Sequence, residues 1–273
     1  VIPESYLAYK NQVEQKETML ESPSTGVPVR CVITKANNLE KDAPLFINLH
    51  GGGFVHPQDG DDDLFCARVA AEIGGIVVDV DYAVTPEYVF PTAFEQVWDV
   101  AEWAFAHAKE LDADSNRISI GGHSAGGALT AAICLRAAKT GNMKFALQIL
   151  DYAALDNAMS FEPGGNERSR AFSMLYCDGN VRVLESPYCS PVFASGEMLK
   201  NQPRTLIINA EHCPFRTVTE RYGQRLAQAG NEVAFRLFPG SAHGFTIRMT
   251  GAWLEAQDLI IRYLKKAEYR EVK

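Results

Sequence analysis

The 273-residue chain is notable first for what it lacks. It has no CxxC pair and no Cys/His spacing suited to zinc, so no metal site is expected. It has no Asn-x-Ser/Thr acceptor, no repeat, no low-complexity tract and no apolar run long enough to span a bilayer. Its six cysteines (Cys31, Cys66, Cys134, Cys177, Cys189, Cys213) are thinly spread. That pattern suits reduced thiols in a cytoplasmic compartment better than a disulfide framework. No signal-peptide pattern opens the chain, which starts at Val1. Basic residues are also short: 26 Lys and Arg against 34 Asp and Glu leave a net charge of −8. Nucleic acid and anionic membrane both favour a basic face, so neither is expected as a partner.

What is present describes a soluble globular protein, 47% hydrophobic and 22% charged. Length alone suggests about two domains, yet α/β domains of this size are common, and a single domain over residues 1–273 is expected. Short Val/Ile/Leu-rich runs fall at Leu45–Leu49, Ile76–Val80, Ile118–Ile120, Leu147–Leu150, Thr205–Asn209 and Val233–Phe238. Each has the length of a buried parallel strand. Helix-like stretches separate them: Asp62–Ile73, Thr92–Lys109, Ala125–Lys139, Arg216–Ala229 and Ala252–Lys266. Such alternation predicts a mostly parallel, doubly wound α/β sheet. Glu17–Glu21 and Pro28–Lys35, flanking Ser-Thr-Gly, predict an antiparallel hairpin at the sheet edge. Two segments escape the alternation, Ile2–Lys16 and about 157–202, the latter broken by Pro163, Gly164, Gly165, Pro187 and Pro191. They are expected to form a small helical cap over the carboxyl ends of the strands, where open α/β sheets bind ligands.

Three motifs carry chemistry. Gly122-His123-Ser124-Ala125-Gly126 follows a predicted strand and opens a predicted helix. In that context a G-x-S-x-G serine sits on a sharp, strained turn with helix N–H groups pointing past it. His50-Gly51-Gly52-Gly53-Phe54 follows another strand. Its glycines leave backbone N–H groups uncovered. The N–H groups of Gly52, Gly53 and Ala125 together form a candidate oxyanion hole, where one donor is worth about 10²–10³ in rate. His243, in Gly240-Ser241-Ala242-His243-Gly244-Phe245 after the last strand, is the candidate general base for Ser124.

With these motifs the chain resembles the hormone-sensitive-lipase-like family of α/β-hydrolase esterases, from about Glu17 to Lys265. A fourth family segment is Val80-Asp81-Tyr82, then Pro86-Glu87, then Phe90-Pro91, with Ala83 where the family usually has Arg. Asp81, Tyr82 and Glu87 are expected to brace the glycine loop. The resemblance implies Ser124 as nucleophile, His243 as base, and Gly52, Gly53 and Ala125 as oxyanion donors. It also implies small esters with short acyl chains, and no cofactor. Oligomeric state stays open, a homo-oligomer being compatible.

The resemblance breaks at the third catalytic position. The family places an Asp two residues after Ala-Glu, where this chain reads Ala210-Glu211-His212-Cys213. A thiol is mostly neutral at pH 7 and a poor acceptor. Either another carboxylate orients His243 (Asp156, Glu211 or Asp151, in that order), or Ser124 and His243 work as a dyad, or catalysis is impaired. The last alternative describes a small-molecule-binding protein, as in plant hormone receptors of this family. Other residues read more plainly: His56, His107 and His212 as surface, His123 as a shape residue, and Trp98 and Trp103 as core. Trp253 is expected to pack locally, and Asp59–Asp63 to be a solvated helix start. Phe54, Phe161, Phe172, Tyr176, Tyr188 and Phe215 are candidate pocket aromatics.

Overall fold

The computed structural model describes residues 2–162 and 165–269; Val1, Pro163, Gly164 and residues 270–273 lie outside the described residues. Eight strands form one sheet: β1 (Val13–Leu20), β2 (Val29–Ala36), β3 (Ala43–Leu49), β4 (Ile76–Asp81), β5 (Ala113–His123), β6 (Leu147–Asp151), β7 (Thr205–His212) and β8 (Val233–Ala242). Among the described residues seven α-helices accompany them: α1 (Glu4–Leu7), α2 (Asp63–Ile73), α3 (Thr92–Ala106), α4 (Ala125–Thr140), α5 (Glu167–Tyr176), α6 (Arg216–Gln228) and α7 (Trp253–Lys265). The spatial order is β1-β2-β4-β3-β5-β6-β7-β8. β1–β2 and β2–β4 are antiparallel, and every other pairing is parallel.

The largely apolar runs make parallel strands because both faces of the sheet are covered. Leu45, Ile47 and Leu49 of β3 pack with α3 and α4. Phe46, one residue out of phase, packs with α2 and α7 on the opposite face. The side-chain period of two in a strand produces this split. Gly74 and Gly141 end α2 and α4 in the left-handed conformation, at φ 58° and 72°.

Strand order is what creates the site. The chain runs β3 then β4 to one side, and returns through α3 to place β5 on the other side of β3. The turns after β3 and β5 therefore diverge at one crevice, with Leu49 paired to Gly122 across it. At the far end, β7 and β8 stop side by side, and His212 pairs with Ala242. That register brings Cys213 and His243 together.

The two segments outside the alternation occupy different places. Val13–Lys16 belongs to β1, so the hairpin begins earlier than predicted. Ahead of it, Tyr6 donates to Gln257 and packs edge-on against Trp253, while Tyr9 donates to Glu72. This pins the N-terminal segment to α2 and α7. The later insertion holds α5 and three short 3₁₀ turns. Tyr176 of α5 stacks on Phe54 at 3.8 Å between ring centres.

A buried polar cluster supports the loop after β3. Asp79 of β4 accepts from Asn48 Nδ2 and Gln58 Nε2, each at 2.8 Å, and the same Asn48 amide donates to Asp62 at 3.0 Å. Both carboxyl groups are buried. Burial, with the Asp62 charge beside it, holds the Asp79 carboxyl well above the usual carboxylate range. The folded protein then keeps a proton that the unfolded chain releases, so this group lowers stability as pH rises past the ordinary carboxylate range. Asp79→Asn removes that component. Its melting temperature relative to wild type is expected to rise by roughly 2–6 °C between pH 5 and pH 8; a pH-independent difference in calorimetry would contradict this.

Candidate active site

His50 fixes the glycine loop. Its ring stacks on Tyr82 at 4.1 Å, and the Tyr82 hydroxyl donates to its carbonyl at 2.7 Å. Gln58 N donates to Asp81 at 3.1 Å, and Thr85 N to Phe54 O at 2.8 Å. Tyr82 and Asp81 thus act as the expected brace. Glu87 does not: it is exposed on the turn beyond the sheet. Gly52 and Gly53 lie at φ 122° and 63°, a region open to glycine. Their N–H groups, and that of Ala125, meet no acceptor among the described residues.

Ser124 stands at φ 54° and ψ −110° between β5 and α4, a conformation costing of order 1–3 kcal/mol for a non-glycine residue. Two hydrogen bonds to the neighbouring segment hold it. Ser124 N donates to Asp151 O at 3.0 Å, and Ser124 O accepts from Ala154 N at 2.9 Å. The flanking glycines are obligatory: a Cβ on Gly126 would lie 2.1 Å from Leu49 O, and one on Gly122 2.4 Å from Gly126 C.

His243 Nε2 lies 2.9 Å from Ser124 Oγ, and Nδ1 lies 3.2 Å from Cys213 Sγ. Tyr152 and Phe215 flank the imidazole edge-on, at 4.9 and 5.3 Å between ring centres. Burial pushes the Cys213 thiol up to about 11. Burial, then the Arg248 charge, pulls His243 down to about 4. Both groups are therefore neutral at pH 7. A carboxylate only accepts, so it would force the proton onto Nδ1 and leave Nε2 free to take one from Ser124. A thiol can also donate to Nδ1, which puts the imidazole proton on Nε2, the wrong side for a base.

None of the three carboxylates considered for that position reaches His243. Asp156 caps the 3₁₀ turn after it, accepting from Ala158 N and Met159 N at 3.0 Å. Glu211 points into the β8 turn and accepts from Gly240 N at 2.7 Å. Asp151 is buried against His123 Nδ1 at 2.8 Å, which also gives His123 a partner that a pure shape residue lacks. Chain position explains these outcomes, since each carboxylate satisfies a backbone or ring N–H nearer than His243.

Of the pocket aromatics, Phe172 and Phe215 border the site. A Cβ on Gly53 would lie 2.4 Å from the Phe172 ring. Phe54, Phe161, Tyr176 and Tyr188 pack in the layer between insertion and core. Tyr152 and Arg248 escaped sequence reasoning; their only signal is position, just past β6 and five residues after His243.

A serine at a strained strand-to-helix turn, a histidine against it and unpaired N–H groups opposite define a hydrolase-type site on a doubly wound sheet. Residues 46–247 match the family described as alpha/beta hydrolase fold. The chain belongs to that family, within its hormone-sensitive-lipase-like esterases. Esterase LipI of Mycobacterium tuberculosis is 32% identical, over 76% of this chain and 67% of the relative. An arylesterase of Saccharolobus solfataricus is 29% identical over 85% and 77%, and an ethyl acetate hydrolase of Pseudomonas putida 27% over 85% and 74%. Carboxyl esterase 2 of Tuber melanosporum superposes with a TM-score of 0.85 at 28% identity, covering 94% of this chain and 88% of that one. No helix among the described residues is long and apolar enough to cross a membrane.

The lowered His243 leads to a specific pH profile. Ester hydrolysis is expected to hold its kcat/KM well below pH 6.5, because the imidazole stays unprotonated there. Cys213→Asp is expected to raise kcat/KM by roughly 10²–10⁴ and to move the acid limb upward, since the new carboxylate stabilises imidazolium. A variant no faster than wild type, with an unmoved limb, would refute this reading of Cys213.

Proposed function

We propose that the chain is a serine carboxylic ester hydrolase acting on short-acyl esters through an acyl-enzyme. Ser124 Oγ attacks the ester carbonyl while His243 Nε2 takes its proton. The N–H groups of Gly52, Gly53 and Ala125 receive the developing oxyanion. His243 returns the proton to the leaving alcohol. It then takes a proton from water as that water attacks the acyl carbon, and passes the proton to Ser124 Oγ as the acyl–oxygen bond breaks and the acid leaves. Cys213 positions the imidazole without charging it.

The observation that carries this is the 2.9 Å contact between His243 Nε2 and Ser124 Oγ, with three unpaired N–H groups across from it. The short-acyl assignment rests on Phe172, whose ring closes over Gly53, and accords with an ethyl acetate hydrolase among the relatives. No metal or organic cofactor enters these steps, and the small-molecule ester is the only partner they require.

Hydrolysis of p-nitrophenyl acetate, butyrate and octanoate tests both parts. Wild type is expected to favour the two shorter esters. Ser124→Ala should lose at least about 10³ of the activity, and Phe172→Ala should shift the preference toward octanoate. Equal rates from wild type and Ser124→Ala would instead favour the non-catalytic binding protein that Cys213 alone would suit.

A further inference from the structure

His243 must become imidazolium in the transition state, and the groups around it oppose that charge. Cys213 offers no anion, and the Arg248 backbone folds over Gly244, its N–H donating to Gly244 O at 3.0 Å. The Arg248 guanidinium follows, so close that a Cβ on Gly244 would lie 3.2 Å from Nε. A cation thus stands beside the residue that has to gain positive charge. Arg248 is exposed, and among the described residues its side chain makes no hydrogen bond or ion pair.

Arg248 also lines a cleft of about 560 Å³, together with Lys10, Asp61, Asp63, Met249 and Trp253. The other charges facing it are accounted for. Lys10 sits 3.7 Å from Asp63. Asp61 feels Arg248 without pairing to it, and burial and the neighbouring Asp59 and Asp62 charges raise its carboxyl. From the sheet side Tyr152 faces Arg248, neutral at any working pH because burial raises its phenol. The guanidinium is therefore the cationic group in this cleft with unused hydrogen-bonding capacity. None of Ser124, His243 or the oxyanion glycines lines this cleft. What ties Arg248 to the alcohol side is its place over Gly244, next in sequence to the histidine that hands its proton to the leaving alcohol.

We propose that Arg248 recognises a carboxylate on the alcohol portion of the substrate, so that the preferred substrates are anionic esters. This rests on the acyl-enzyme reading above and names the substrate class for it. The paired carboxylate would do two things. It would fork onto the guanidinium, which suits planar anions. It would also cancel the charge that disfavours imidazolium and place a negative charge near His243, where this chain has no acid of its own.

The test compares 4-acetoxybenzoate with its methyl ester, which share an acetyl group and differ in one charge. Each kcat/KM is divided by the rate of the same ester with hydroxide. Wild type is expected to favour the anion by about tenfold, the effect of one partly exposed, hydrogen-bonded charge pair. Arg248→Gln should abolish that preference while the methyl ester reacts at least as fast, its acid limb moved upward; Arg248→Lys should keep part of the preference. A wild-type ratio at or below one, or a ratio unchanged in Arg248→Gln, would overturn the proposal. Hydrolysis of the methyl ester in either case would leave the esterase reading standing. Failure to hydrolyse either ester would overturn both.

Discussion

A left-handed serine is the constraint on which the rest of this molecule turns. Ser124 is held at φ 54° by hydrogen bonds with Asp151 at the end of β6 and Ala154 just beyond it. Its two flanking glycines have no room for a side chain. Relaxing the turn would swing the hydroxyl away from His243 and the helix N–H away from the glycine loop. The sheet order supplies the other half of the geometry, because only at the β3/β5 crevice do the turn and the glycine loop meet. Buried polar pairs behind them, Tyr82 with His50 and Asp79 with Asn48, resist that relaxation from below.

Against this well-braced half, the histidine half is sparsely supported. Two aromatic rings and a thiol surround His243, so apart from its contact with Ser124 the imidazole is held by packing and one weak polar contact. Packing fixes the ring plane and leaves the proton free to sit on either nitrogen. In the proposed roles, such a site keeps nucleophile and oxyanion geometry and gives up most of what a carboxylate adds to the base. An anion brought by the substrate to Arg248 would supply from outside part of what Cys213 withholds.

Much of this was legible in the residues. The apolar runs located the middle of each central strand, because strands covered on both faces must be largely apolar; β5 starts ahead of its run because its early polar residues, 114–117, are exposed or half-buried. Gly122–Gly126 and His50–Phe54 marked the crevice, since turns that tight demand glycine in order. The hairpin start at Val13 was missed, because an exposed edge strand such as Val-Glu-Gln-Lys-Glu carries little apolar pattern. The destinations of Asp156, Glu211 and Asp151 were also hidden. A carboxylate's partner depends on which N–H lies nearest in space, and all three had backbone or ring donors closer than His243. Arg248 gave no sign beyond its position: a lone arginine past a histidine acquires meaning only when its neighbours are known.

The protonation of His243 is the most direct test of the account. In ¹⁵N NMR of histidine-labelled protein, with His243 assigned by its replacement, the imidazole is expected to stay neutral at pH 7 and to gain its proton only near pH 4. Its neutral form should populate both tautomers, as a thiol partner allows. An imidazolium persisting at pH 7, with its Nδ1 proton in a strong hydrogen bond, would mean that an anion sits where Cys213 does, and would contradict the account.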